Sequence, residues 1–186
     1  MNVLAGISIM DILKSFKIEN LEELKNWLEE NYNSKDSIWL VFPKKTSGAN
    51  FAWSEIVDVL LCYGWIDSVS RKVDENYTSI RISPRNPKSF WSKINKDKVA
   101  ILEAKKLIHP NGLKTIEIAK QNGTWWALDD VENLVLPKDL EEYLSQNNLL
   151  EAWNMKPKSF KRGFLEQLLN TKKAESRLKK MQSLVF

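Results

Sequence analysis

Between Gly64 and Asn95 the chain reads GWIDSVSRKVDENYTSIRISPRNPKSFWSKIN, and most of its unusual chemistry stands in that stretch. Arg71, Arg81 and Arg85 supply three guanidinium forks. Such a planar fork donates two parallel hydrogen bonds and suits phosphate or carboxylate. Asp67 and Asn95 could orient what the arginines neutralise, and Asp74 adds a second carboxylate. Trp65 and Trp91 are candidate walls onto which a ring would stack. The hydroxyls of Ser68, Ser70, Ser83, Ser89 and Ser92, and a helix start near Ser89, add donors for the same anion. The set therefore points to a small anionic, phosphate-bearing ligand. The same residues also suit an internal network, with Asp67 and Asp74 paired to Arg71, Arg81 or Arg85 and holding a hairpin to a helix.

Charge is segregated in the same place. Residues 71–98 carry eight basic side chains against three acids, a local +5. Residues 1–70 carry six basic and ten acidic residues, and residues 99–186 fourteen and eleven, so the total is +4. A field divided in this way steers an anionic partner, although a charge run is also the ordinary make-up of a solvated surface.

Several kinds of chemistry are excluded. One Cys and one His cannot build a Cys/His zinc site within a single chain. His109 precedes Pro110 and stands where a helix N-cap would be, which argues against a Ser-His-Asp triad. Neither a G-x-x-x-x-G-K-S/T loop nor a G-x-G-x-x-G fingerprint occurs, and no cofactor is implied. Cys62 sits in an apolar helix and reads as a core thiol, without an internal disulfide partner, as suits a reducing cytoplasm. No stretch approaches the roughly 20 apolar residues of a membrane span. The N-terminus has no basic residue before Lys14, unlike a signal peptide, and Met10 is a second candidate start.

The elements that must position these residues follow from periodicity. Ile12 to Ile18 alternates weakly as a first strand, and Asn20 caps a helix from Leu21 to Asn31. Ser37 to Phe42 is an apolar, β-rich strand, followed by a loop from Pro43 to Asn50. Ser54 is the candidate cap of a buried helix closed by Gly64. Trp65 to Val73 and Tyr77 to Ser83 form a hairpin about Asp74, Glu75 and Asn76, with Arg81 and Ser83 on one face. Ser89 is an N-cap candidate for a helix from Phe90 to about Leu107, and further helices begin at Pro110 and Pro137. Lys156 to Asn170 and a basic segment from Thr171 to Met181 complete the chain. The expected class is α+β: a small, mainly antiparallel sheet with helices over residues 1–88, and a helical half over 89–186 packed on it as one globular unit.

The middle motifs resemble a known family. They are Leu61-Cys62-Tyr63-Gly64-Trp65-Ile66-Asp67-Ser68, Arg71-Lys72-Val73-Asp74, Ser83-Pro84-Arg85-Asn86-Pro87, Ser89, and Trp91-Ser92-Lys93 with Asn95. With Ser37–Lys45, Pro110-x-Gly112, Ser159…Arg162 and Ser176-Arg177, they are similar to the YdeI/OmpD-associated, or bacteriocin-protection, family over about residues 12–183. The resemblance implies a bacterial, cytoplasmic protein linked to bacteriocin or stress resistance, and it implies no reaction. His109 stands where the family usually has Thr before Pro110, in keeping with a cap.

Three functions remain open. The first is a binding module for a small anion at the junction of the hairpin and the Phe90 helix. It would use Trp65, Asp67, Arg71, Asp74, Arg81, Arg85, Trp91 and Asn95. The second is an enzyme with Asp67 or Asp74 as general base, against which nearby arginines count, because they lower a carboxyl pKa. The third is a nucleic-acid binder using residues 71–98 and the basic tail Lys172, Lys173, Arg177, Lys179 and Lys180.

Overall fold

The structure, a computed structural model, describes residues 14–184. The beginning of the expected first strand and the candidate start Met10 lie outside those residues. The class is α+β, with a four-stranded, mostly antiparallel sheet in the N-terminal half and helices throughout the C-terminal half. The described residues group into two units, one of 14–89 with 94–124, the other of 90–93 with 125–184.

In the first unit the strands are β1 (Ser15–Lys17), β2 (Ile38–Pro43), β3 (Trp65–Lys72) and β4 (Tyr77–Pro84), in the order β1-β2-β4-β3. β1 runs parallel to β2, and the other pairings are antiparallel. Helices α1 (Leu21–Asn31) and α2 (Trp53–Cys62) cover one sheet face. Between them Ile18, Leu24, Leu28, Leu40, Ile56, Leu60, Trp65, Ile80 and Ile82 form a core that water does not reach. At about 25 cal/mol per Å² of apolar area, such burial is the main stabilising term. Asn20 caps α1 as its sequence suggests, its Oδ1 accepting the Glu23 N–H at 3.0 Å.

The start of α2 differs from the sequence expectation. Its N-cap position is Ala52, not Ser54, and the Glu55 carboxylate accepts the Ala52 N–H at 2.8 Å. Glutamate reaching back in this way satisfies a donor that the helix leaves open, so a hydroxyl at the cap is dispensable. Gly64 ends α2 at φ 77°, a left-handed conformation that glycine adopts without strain.

Helix α3 (Lys93–Ala104) also starts later than expected. Ser89 does not cap it: Ser89 N–H and Oγ both donate to the Asn86 carbonyl, closing a turn of the Pro-punctuated loop. Helix α4 (Pro110–Gln121) begins as read from the sequence, because His109 Nδ1 accepts the Asn111 N–H at 3.1 Å.

The second unit carries α5 (Asp129–Glu132), α6 (Lys138–Gln146), α7 (Leu150–Met155), α8 (Lys158–Leu169) and α9 (Ala174–Gln182). Leu140, Leu144, Trp153, Leu165 and Leu168 are its buried centre. Two charge clusters tie its helices: Arg162 to Glu132 and Glu166, and Arg177 to Asp139. Among the described residues no helix is long and apolar enough to cross a membrane.

Candidate functional site on the outer face of the sheet

Alternation along a strand sends successive side chains to opposite sheet faces. The inward set on β2 is Ile38, Leu40 and Phe42, so Trp39 and Val41 face away from the helices. Register places Arg81 opposite Trp39, Ser79 opposite Val41, and Arg71 opposite Ser79. Arg71 and Arg81 therefore stand on one face of neighbouring strands. The shift in register between Asp67 and Ser70 is a bulge in β3, and from Ser70 onward it brings Arg71 onto this face.

The two arginines line one cavity of about 200 Å³ with Lys14, Asp36, Ser37 and Trp39. The Arg71 guanidinium lies over the Trp39 ring, 4.3 Å from its centroid. Stacked this way, the guanidinium is held flat against the indole. Arg81 Nε and Nη2 both donate to Ser37 Oγ, at 3.0 and 2.7 Å. A single hydroxyl thus occupies a fork shaped for two oxygens. Three cations and one carboxylate border the cavity, so its charge favours an anion.

The other expected site residues lie elsewhere. Trp65 is fully buried, with its Nε1 donating to the Tyr32 carbonyl at 3.3 Å and its ring edge-on to Trp27. It is a core residue and not the wall of a cleft. Trp91 is likewise buried, in the second unit, with its ring 4.9 Å from Trp125. Asp67 accepts the Trp53 indole N–H at 2.9 Å. Asp74 Oδ1 accepts the backbone N–H groups of Asn76 and Tyr77, at 2.7 and 2.8 Å, and so builds the hairpin turn. The Tyr77 N–H first, then that of Asn76, hold the Asp74 carboxyl below its usual range. Such a group is a poor general base at neutral pH. Among the described residues Asp67 takes an indole donor and Asp74 backbone donors, in place of the expected arginines.

Arg85 is only 7% exposed, and burial lowers its pKa to about 10. Its backbone N–H donates to the Gly64 carbonyl at 2.9 Å. Asn95 is partly buried on α3. The structure thus brings together Arg71 and Arg81 out of the expected set. Sequence reasoning missed Lys14, Asp36, Ser37 and Trp39. The two-residue period of Ser37, Trp39 and Val41 was the signal that could have placed Ser37 and Trp39 on one face.

The cationic tail is largely engaged within the second unit. Arg177 bonds Asp139 and two carbonyls, Lys179 pairs with Glu175, and Lys180 donates to Gln167 Oε1. Burial first, and then the Asp58 charge, push the Cys62 thiol up to about 11, so it is no nucleophile at neutral pH. Among the described residues no group of three or more His, Cys, Asp or Glu could hold a metal ion.

Residues 16–115 match a family model described as a domain of unknown function, DUF8412. That match spans more than half of the chain. The chain belongs to this family. Residues 133–185 match a second model, described as "Bacteriocin-protection, YdeI or OmpD-Associated". The YdeI/OmpD-associated resemblance read from the motifs is thus met in the C-terminal segment, which holds Ser159, Arg162, Ser176 and Arg177. The long motifs of residues 61–95 fall inside the DUF8412 match instead, as does the whole cavity lining except Lys14. At family level the second match associates the chain with bacteriocin protection. No curated protein and no solved structure matches the chain.

Proposed function

We propose that this protein is a binding module for a small phosphate- or carboxylate-bearing anion, held on the outer face of the sheet by Arg71 and Arg81. The observation that carries this reading is the convergence of the two guanidinium groups, with Lys14, on one polar cavity of about 200 Å³. An incoming anion replaces Ser37 Oγ as acceptor for Arg81 and takes a bidentate bond. The volume lies below the roughly 300–1,000 Å³ of drug-sized pockets, so the ligand is phosphate-like with at most a small organic body. Stress or bacteriocin resistance would then depend on capture of that anion. A reducing compartment such as the cytoplasm suits the free thiol of Cys62.

The test is thermal denaturation against inorganic phosphate, pyrophosphate and phosphoglycolate, at ionic strength fixed with chloride. A ligand of the native state must raise stability by RT ln(1 + [L]/Kd). The expected result is a saturable rise for at least one of these anions, lost in Arg81→Ala and in Arg71→Ala. Both side chains are exposed, so the variants keep the fold. An unchanged rise in both variants, or no rise with any of the three, refutes the proposal.

A further inference from the structure

We infer that the first unit has a second ligand site, for a small amphipathic acid with an apolar body and one carboxylate, between α1, α2 and the end of α3. A cavity of about 440 Å³ opens there, separate from the sheet-face cavity and lined by none of the same residues. Its volume falls in the range of small-molecule sites.

The lining is built at helical spacing. Leu21 and Lys25 are one turn apart on α1. Glu55, Asp58, Val59 and Cys62 follow one face of α2 at steps of three, one and three. The floor is apolar, with Val59, Cys62 and Leu102 buried. The far wall is Leu107, which the end of α3 carries into place. There the Leu107 N–H donates to the Leu102 carbonyl at 3.0 Å and the Lys106 N–H to the Glu103 carbonyl at 2.9 Å. Lys106 adopts φ 58°, a left-handed conformation that disfavours any side chain but is required to turn the backbone here. In this helix ending the residue after the turn packs on the last helical turn, which explains why Leu107 and Leu102 share the cavity. Leu107 nevertheless remains 57% exposed. An apolar rim left in water is a surface that an apolar ligand body would cover.

The polar groups of the cavity select the charge of the occupant. Glu55 is spent on the Ala52 N–H, and Asp58 is neutralised by Lys98, whose Nζ also donates to the Ser54 carbonyl. Lys25 is paired with Glu22 at 3.3 Å. Lys105 makes no ion pair among the described residues and stands at the rim beside Leu107. The Tyr63 hydroxyl is turned to Glu29 at 2.9 Å, away from duty as an anion donor. With Asp58 ion-paired to Lys98 and Glu55 turned to the Ala52 N–H at the start of α2, Lys105 is the cation open at the apolar edge, which suits the carboxylate of an otherwise apolar ligand. Its chain lies on Leu21, Val59, Leu102 and Leu107, and its head meets Lys105.

Octanoate tests this, with octanol as the neutral control, by thermal shift and by methyl NMR of Val59, Leu102 and Leu107. Octanoate should raise the melting temperature saturably and move those methyl signals, with a smaller effect from octanol. Lys105→Glu should weaken apparent affinity about tenfold, the order expected for one charged hydrogen bond. Its ligand-free melting temperature should not change. Leu107→Gln, at an exposed rim position, should weaken binding independently of charge. The octanoate effect must persist in Arg71→Ala and Arg81→Ala; if it vanishes there, octanoate occupies the sheet face and this inference falls. It also falls if octanol matches octanoate, if no saturable shift occurs, or if Lys105→Glu retains full affinity.

Discussion

Arg177 offers the most quantitative test of how the YdeI/OmpD-associated segment is held together. From α9 its Nε and Nη2 meet both Asp139 oxygens, at 2.7 and 2.9 Å. Its Nη1 also donates to the carbonyls of Leu168 and Thr171, at 2.6 and 3.2 Å, at the end of α8, where the Leu168 carbonyl accepts the Thr171 N–H as well, at 3.0 Å. The Arg177 side chain is 19% exposed, but that of Asp139 is 42% exposed. Solvent screening therefore limits the ion pair to about 0.5–1 kcal/mol. The two carbonyl bonds to a charged donor add about 1–2 kcal/mol after the same discount. Arg177→Met keeps the apolar stem and removes all four bonds, and should cost about 1.5–3 kcal/mol in urea denaturation. A double-mutant cycle with Asp139→Asn should return the ion-pair part alone, about 0.5–1 kcal/mol. Hydrogen bonding from Arg177 is the first cause that holds the Asp139 carboxyl below its usual range. A carboxyl lowered in the folded state contributes stability that is present above its unfolded pKa of about 4 and lost as pH falls through the folded value. The coupling should thus be full at pH 7 and fade below about pH 4. A coupling of zero at pH 7, or one that is undiminished at the lowest pH where both proteins fold, would refute this account.

Two further outcomes follow from backbone geometry. A Cβ at Gly112 would stand 2.1 Å from the Cys62 carbonyl oxygen, so Gly112→Ala should cost about 3 kcal/mol or more by forcing α4 off α2. Gly163 on α8 meets nothing within 4 Å, so Gly163→Ala should instead stabilise by about 0.5–1 kcal/mol; the two melting temperatures should move in opposite directions. His109→Ala should lose about 1–2 kcal/mol, since it removes both the cap on Asn111 and the ring stacked 5.0 Å from Tyr63. His109→Asn should recover the capping part, and equal losses in the two variants would show that the cap contributes nothing.

What the sequence determined by itself was local. Asn20 and His109 cap their helices because a side-chain acceptor two or three residues ahead of an open N–H needs no partner from elsewhere. The hairpin was legible for the same reason: Asp74 bonds backbone within its own turn. The α+β class followed from period-two and helical spacing, each a property of a short window. Only tertiary structure decided which functional side chains meet. Trp65 and Trp91 looked suited to stacking, yet burying a large indole lowers free energy more than a half-open site would, and both are in cores. Arg71 and Arg81 share a face through register across β2, β4 and β3, a pairing of residues far apart in the chain. The lining residues Lys14, Asp36, Ser37 and Trp39 come from another part of the chain, from 42 to 67 residues before Arg81 and beyond the reach of any local window. The cavity beside Lys105 depends in turn on a left-handed residue, Lys106, of a type that sequence rules reserve for glycine. Charge segregation drew attention to residues 71–98, which take in β4 and the end of β3, while strand register brings two of their arginines onto one cavity.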